Sequence, residues 1–139
     1  MINYNYILDF WFKEIDNKQW FIKSSSFDSL VKTKFSLIHR KASFRQLYLW
    51  RKSIRGRLAE IIVLDQFSRN IFRNNPQSFE TDSIALYLSK LVIKNNLHAN
   101  LNAQEKLFIF MPFMHSETLK NQQISLSLFK NLGLIKNCH

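Results

Sequence analysis

An all-α fold follows from two features of this sequence. Only two glycines and two prolines interrupt its 139 residues. Apolar side chains recur every three or four positions along most of it, the spacing that gathers them on one face of a helix. Sandwiches, barrels and dinucleotide-binding sheets normally need more turn glycines than this.

The first expected helix runs from Tyr4 to Glu14, where Ile7, Leu8, Phe10, Trp11 and Phe12 give a wide apolar surface. Asn17 to Lys23 breaks the pattern and places Trp20 and Phe21 in a connecting turn. Ser25 or Ser26 can cap the second helix, because a serine oxygen accepts an orphan backbone N–H there. Phe27, Leu30, Val31, Phe35 and Ile38 then follow at helical spacing, with lysines on the other face. Ser53 can cap a third helix, whose stripe Ile54, Leu58, Ile61, Ile62 continues into Asp65 and Arg69. Asn74-Asn75-Pro76 closes it, since proline keeps its predecessor out of the helical region.

A fourth helix after Asp82 turns Ile84, Ala85, Leu88, Leu91 and Val92 inwards and stops at Asn95-Asn96. Leu101 or Asn102 opens a fifth through Leu107, Phe108, Met111 and Met114, with Pro112 tightening its end. Ser116 or Thr118 caps a sixth that carries Leu119, Ile124, Leu126, Leu128 and Phe129 up to Gly133. About six helices on short loops predict stacked antiparallel hairpins, in one domain over residues 1–139. No clean internal repeat and no match to the tetratricopeptide consensus is present.

No apolar run reaches the ~18 residues a spanning helix needs, so no membrane association is expected. Met1 to Phe12 lacks a basic stretch and contains Asp9, unlike a secretion signal. Cys138 is the sole cysteine, which excludes an internal disulfide and a cysteine-based metal cage and points to a reducing cytoplasm. The formal charge is +10. From Lys32 to Arg57 nine cations occur without an acid, interleaved with Phe44, Tyr48 and Trp50. That pattern is either a polyanion-binding surface or a solvated helix face, and no recognition motif accompanies it.

Two segments carry the polar residues with chemical potential. In Asp65-Gln66-Phe67-Ser68-Arg69-Asn70-Ile71-Phe72-Arg73, Asp65 and Arg69 are four apart and can pair on a helix, with Arg73 one turn on. They extend an apolar stripe and so are partly buried, which is costly for unpaired charges. Either the three form an ion network joining helices, or the arginines await an anionic ligand. In Pro112-Phe113-Met114-His115-Ser116-Glu117, His115 falls on the inner side of its helix and Glu117 at the next junction. A His115–Glu117 pair could do general acid–base work, the carboxylate orienting the imidazole. The alternative is a core histidine bonded to a carbonyl, with Ser116 and Glu117 as caps. Asp65, His115 and Glu117 could also ligate a metal, but their spacing matches no metal motif. Glu105 reads as a solvated or tethering carboxylate, and His39, His98 and His139 show no partnering pattern. Phosphate loops, nucleophile elbows and zinc-protease helices are absent, so hydrolase and kinase templates find no support.

These blocks, together with Ile7-Leu8-Asp9-Phe10-Trp11-Phe12 and Trp20-Phe21, resemble the signature of one bacterial family, domain of unknown function 924. The resemblance runs in order across nearly the whole chain. It implies a tetratricopeptide-like α–α superhelix and brings no established activity, substrate or cofactor. Its polar signature maps to Asp65, Gln66, Arg69, Asn70, Arg73, His115, Ser116 and Glu117. The family usually has proline where this chain has Ser68, so the helix is expected to run further here and to aim Arg69 differently. Members also continue into an Arg-Phe-Gly-Arg-Phe-Pro-His-Arg-Asn-like block, whereas this chain stops at Lys136-Asn137-Cys138-His139. A shortened member, natural or partial, is therefore expected.

The first functional expectation is a binding or scaffold module using the concave face of the stack. The alternative is a small enzyme or ligand-binding protein for an anionic metabolite. Arg69, Arg73, Gln66 and Asn70 would hold the anion, and His115, Glu117 and Asp65 would handle protons. That reading requires the two groups to converge on one cavity. A third is non-specific nucleic-acid binding through the Lys32–Arg57 stretch. No cofactor or metal is expected; a protein partner, a small anion or a second copy of the chain is.

Overall fold

Asn3 caps the first helix, its side-chain oxygen accepting the Asn5 backbone N–H at 2.7 Å. In the computed structural model, which describes residues 2–133, α1 spans Tyr4–Asp9 and widens into one π turn, Phe10–Glu14. Cys138, His139 and the chain end on which the shortened-member expectation rests lie outside the described residues. A 3₁₀ turn at Asn17–Trp20 leads to α2, Ser25–Ser43. Its cap is Ser24, one residue earlier than expected, with Oγ 3.3 Å from the Phe27 N–H. Any of the three consecutive serines could cap; the register follows from burying Phe27, Val31, Phe35 and Ile38, which leaves Leu30 exposed rather than inward.

After a 3₁₀ turn at Tyr48–Lys52, Ser53 caps α3, Ile54–Ile62, by accepting the Gly56 N–H at 3.0 Å. The helix does not end there. A π turn, Val63–Phe67, carries it into α4, Ser68–Ile71, so it runs on through Ser68. From Leu58 to Ser68 every residue is buried. This central rod is enclosed by α1, α2, α5 (Asp82–Lys94) and α6 (Ala103–Met114). The last helix, α7 (Leu119–Asn131), packs on α6. With α3 and α4 counted as one continuous rod the described residues form six helices and no strand.

Local chemistry sets the remaining ends. Asn102 and Glu105 form a reciprocal capping box at α6, their side chains taking each other's backbone N–H at 2.8 and 3.0 Å. Thr118, not Ser116, caps α7. Pro112 lies inside α6 near its end, where its missing N–H leaves the Phe108 carbonyl without a helical donor.

The core is dense in aromatic rings. Phe35 stacks on Phe67 at 4.6 Å between centroids, and Trp11 meets Phe67 and Phe108 edge-on at 5.6 and 5.4 Å. Each such buried side chain contributes roughly 1.5–3 kcal/mol relative to exposure. Ion pairs tie the outer helices to this rod. Arg51 forks onto the fully buried Glu60 at 2.8 and 2.9 Å, and that hydrogen bond raises the Arg51 guanidinium above its ordinary value. Arg57 Nε donates to the Arg51 carbonyl, and Arg55 reaches Glu105 at 2.9 Å, so Glu105 is a tether.

Candidate functional site

The π turn at Val63–Phe67 adds one residue to the helical circuit, and π turns recur at functional positions. Here it sets Asp65 and Gln66, both buried, towards α6. The Asp65 carboxylate accepts from three donors. His115 Nδ1 lies 2.8 Å from Oδ1, Gln66 Nε2 2.9 Å from Oδ2, and Arg69 Nη1 3.3 Å from Oδ1. A carboxylate accepts, so in this contact the His115 ring donates from Nδ1. Nε2 has no hydrogen-bond partner among the described residues, and in the neutral tautomer that donates from Nδ1 it carries the lone pair.

The expected His115–Glu117 pair is not formed. Glu117 is exposed at the rim of a cavity, and the carboxylate that orients the imidazole comes from 50 residues earlier. The chain turns sharply after His115 because Ser116 Oγ accepts from Asn121 Nδ2 and from the Thr118 N–H, which swings position 117 outwards.

Arg69 and Arg73 are both paired. Arg69 forks onto Asp82 with two 2.9 Å bonds while also donating to the Asp65 carbonyl at 2.8 Å. Arg73 forks onto Asp28 at 3.0 and 3.1 Å, and Asn70 Nδ2 joins the same carboxylate at 2.9 Å. Neither Asp28 nor Asp82 could be picked out from sequence spacing, although each stands in the first turn of a helix, where a carboxylate complements the dipole. The network clamps α2 and α5 to the rod.

Three adjoining cavities meet at Arg69. One of about 490 Å³ is lined by Lys23, Arg69, Arg73, Asn74, Phe79 and neighbours, with no acidic residue in its wall. A second of about 640 Å³ contains Asp82, Pro112, His115, Ser116 and Glu117. Between them a smaller one of about 160 Å³ is walled by Trp11, Trp20, Phe21, Gln66, Met111 and His115. The Arg69 guanidinium also lies over the Phe79 ring, 5.6 Å from its centroid. Gln66, Arg69, Asn70, Arg73 and His115 line the smallest cavity together, Ser116 and Glu117 line the second, and Asp65 lines none of the three and acts from behind His115. No three His, Cys, Asp or Glu side chains are grouped as metal ligands among the described residues.

Sequence reasoning also missed His39. Its Nε2 is bonded to the buried Ser68 hydroxyl, which contacts Thr81 Oγ1 at 2.8 Å and the Leu64 carbonyl at 2.7 Å. Burial lowers the His39 imidazole below its ordinary value. The only sequence signal was Ser68 itself, a hydroxyl one turn after Leu64 on the buried side of the helix.

A helical domain with a charged, aromatic-walled groove beside an oriented histidine is the class that fold and site define. The chain belongs to the bacterial family described as bacterial protein of unknown function (DUF924), whose model matches residues 7–138. It is similar to a solved structure, the protein of unknown function ATU0120 from Agrobacterium tumefaciens. That similarity has 32% identity and a TM-score of 0.87, covering 94% of this chain and 73% of the other. No curated protein matches the chain. No described helix is long and apolar enough to cross a membrane.

Proposed function

We propose that the groove binds a small organic anion and that His115 transfers a proton to or from it. One observation carries this reading: buried Asp65 holds His115 Nδ1 and leaves Nε2 free at the groove wall. A carboxylate behind an imidazole fixes its tautomer and stabilises the imidazolium formed when Nε2 takes a proton, which is the arrangement of a general base. The acid-free cavity beside Lys23, Arg69 and Arg73 favours the ligand's negative end. Trp20, Phe21 and Met111 suit an apolar or aromatic body between that end and the imidazole. Arg69 and Arg73 are already neutralised by aspartates, so Lys23, free of any ion pair among the described residues, supplies the attraction and the arginines supply directed N–H groups.

The test uses small aromatic carboxylates and phosphate monoesters, screened by ligand-observed NMR against the wild type, Lys23→Ala and His115→Gln. Acids that bind the wild type should weaken about tenfold on losing Lys23, and those reaching the inner cavity should weaken in His115→Gln as well. If no acid binds, or if every hit binds all three proteins equally, the groove is not this site.

A scaffold function on a tetratricopeptide-like stack is the second reading. It is supported by the successive packing of α5 on α6 and α6 on α7, as in consecutive hairpins. Both readings fit a cytoplasmic protein with a single cysteine.

A further inference from the structure

The nine cations between Lys32 and Arg57 divide into two groups. Arg51, Arg55 and Arg57 are bonded inwards, and Lys34 lies over the Tyr6 ring at 5.1 Å. Lys32, Arg40, Lys41, Arg45 and Lys52 make no ion pair among the described residues, and all but Lys41 are exposed. Along the chain they are interleaved with large apolar side chains that face water: Leu37, Phe44, Tyr48 and Leu49 are each 59–68% exposed. Leu37, Arg40, Lys41 and Phe44 stand at i, i+3, i+4 and i+7, so they form one stripe down the end of α2. The turn that follows carries the others.

That turn holds Arg45 in a left-handed conformation, φ 59°. Its N–H bonds to the Ala42 carbonyl and that of Gln46 to the Lys41 carbonyl, closing the helix in a Schellman motif. Glycine is the residue that fits this position without cost. The other positive-φ residues among those described are Asn74, Asn96 and Gly133, types suited to it. Arginine at 45 spends backbone energy to present a cation beside Phe44.

We propose that the end of α2 and the following turn form a peripheral docking surface for anionic membrane lipid. Lysines and arginines around exposed leucine and aromatic side chains are the chemistry of an interface-seated surface. Single-stranded nucleic acid would use the rings of Phe44 and Tyr48, but bases stack on π faces and give no reason for two exposed leucines. A second copy of the chain meeting this face by a two-fold would set like charges against each other. A protein interface is ordinarily poor in lysine. Asp9, paired with Lys13, shares a cavity wall with Leu37 and Lys41, and Glu80 shares one with Arg40 and Phe44.

The experiment is vesicle flotation of the full chain with phosphatidylcholine alone and with phosphatidylcholine containing phosphatidylglycerol, at low and high salt. Binding should require the anionic lipid, weaken with salt, and fall about tenfold or more in Arg40→Gln/Lys52→Gln, since each cation near the surface contributes on the order of fivefold. Leu37→Ser/Leu49→Ser keeps every charge and should also bind several-fold less. Arg45→Gly should melt at a higher temperature yet float less, opposite signs that a merely structural Arg45 would not give. Four results overturn the proposal: no flotation with anionic vesicles; unchanged flotation of the leucine variant; tighter binding to a single-stranded oligonucleotide that is lost in Phe44→Ala/Tyr48→Ala; and a dimer that the leucine variant dissociates.

Discussion

Three donors converge on Asp65, and two would be stranded if the carboxylate were removed, the His115 Nδ1–H and the Gln66 amide, whereas Arg69 keeps Asp82 and the Asp65 carbonyl. Because the group is almost fully buried, Asp65→Ala should lower stability by about 2 kcal/mol, the cost of leaving the His115 and Gln66 donors without an acceptor. Chemical denaturation measures it; a loss below about 1 kcal/mol would mean that water replaces the carboxylate. His39 gives a pH signature of opposite origin. Burial lowers its folded-state value below that of the unfolded chain, so near pH 6–7 and downwards the unfolded state binds the proton first. The contribution is complete above the unfolded value of about 6.5 and is lost as pH falls through the folded one. Melting temperature should therefore drop between pH 7 and 5 more in the wild type than in His39→Gln, which keeps a side-chain amide near Ser68 without a titrating ring. Parallel pH curves for the two proteins would remove His39 as the cause.

At the scale of elements, one position shows how closely the rod packs on the turn before it. A Cβ added at Gly56 would sit 2.0 Å from the Trp50 carbonyl oxygen, a backbone atom that cannot step aside. Gly56→Ala should therefore destabilise by roughly 1–3 kcal/mol, although alanine is the better helix former; a neutral or stabilising result would show that the Tyr48–Lys52 turn yields. The sequence made the helices themselves legible, because their apolar stripes and the caps Ser53, Asn102 and Thr118 are local signals. It could not show the two π turns, which follow from how the rod fits its neighbours and not from any residue type. Nor could it show Asp28 beneath Arg73, His39 beside Ser68, or Asp65 behind His115, since those partners lie 45, 29 and 50 residues apart. The candidate residues were legible because they are polar in apolar stripes. Their pairing was not, because only the fold brings them together.

Across the whole molecule stability is distributed unevenly, and α7 stands at the low end. The rod α3–α4 is enclosed by four helices, whereas α7 rests on α6 and buries a single large apolar side chain, Phe129, which meets Phe110 edge-on at 6.2 Å. Its other buried residues are Asn121 and Ser125, while Leu119 and Leu126 face water. With little apolar area holding it, α7 should open without the rest of the protein, since local unfolding follows the density of buried contacts. Native-state hydrogen exchange should find the amides of α7 exchanging at free energies well below those of Leu58 to Phe67, which report global unfolding. Phe129→Ala should widen the gap, removing the protection of α7 while costing little in the main transition followed by the core tryptophans Trp11 and Trp50. Equal protection across α7 and the rod, or a Phe129→Ala variant whose tryptophan transition falls by several kcal/mol, would show instead that the last helix belongs to the cooperative core.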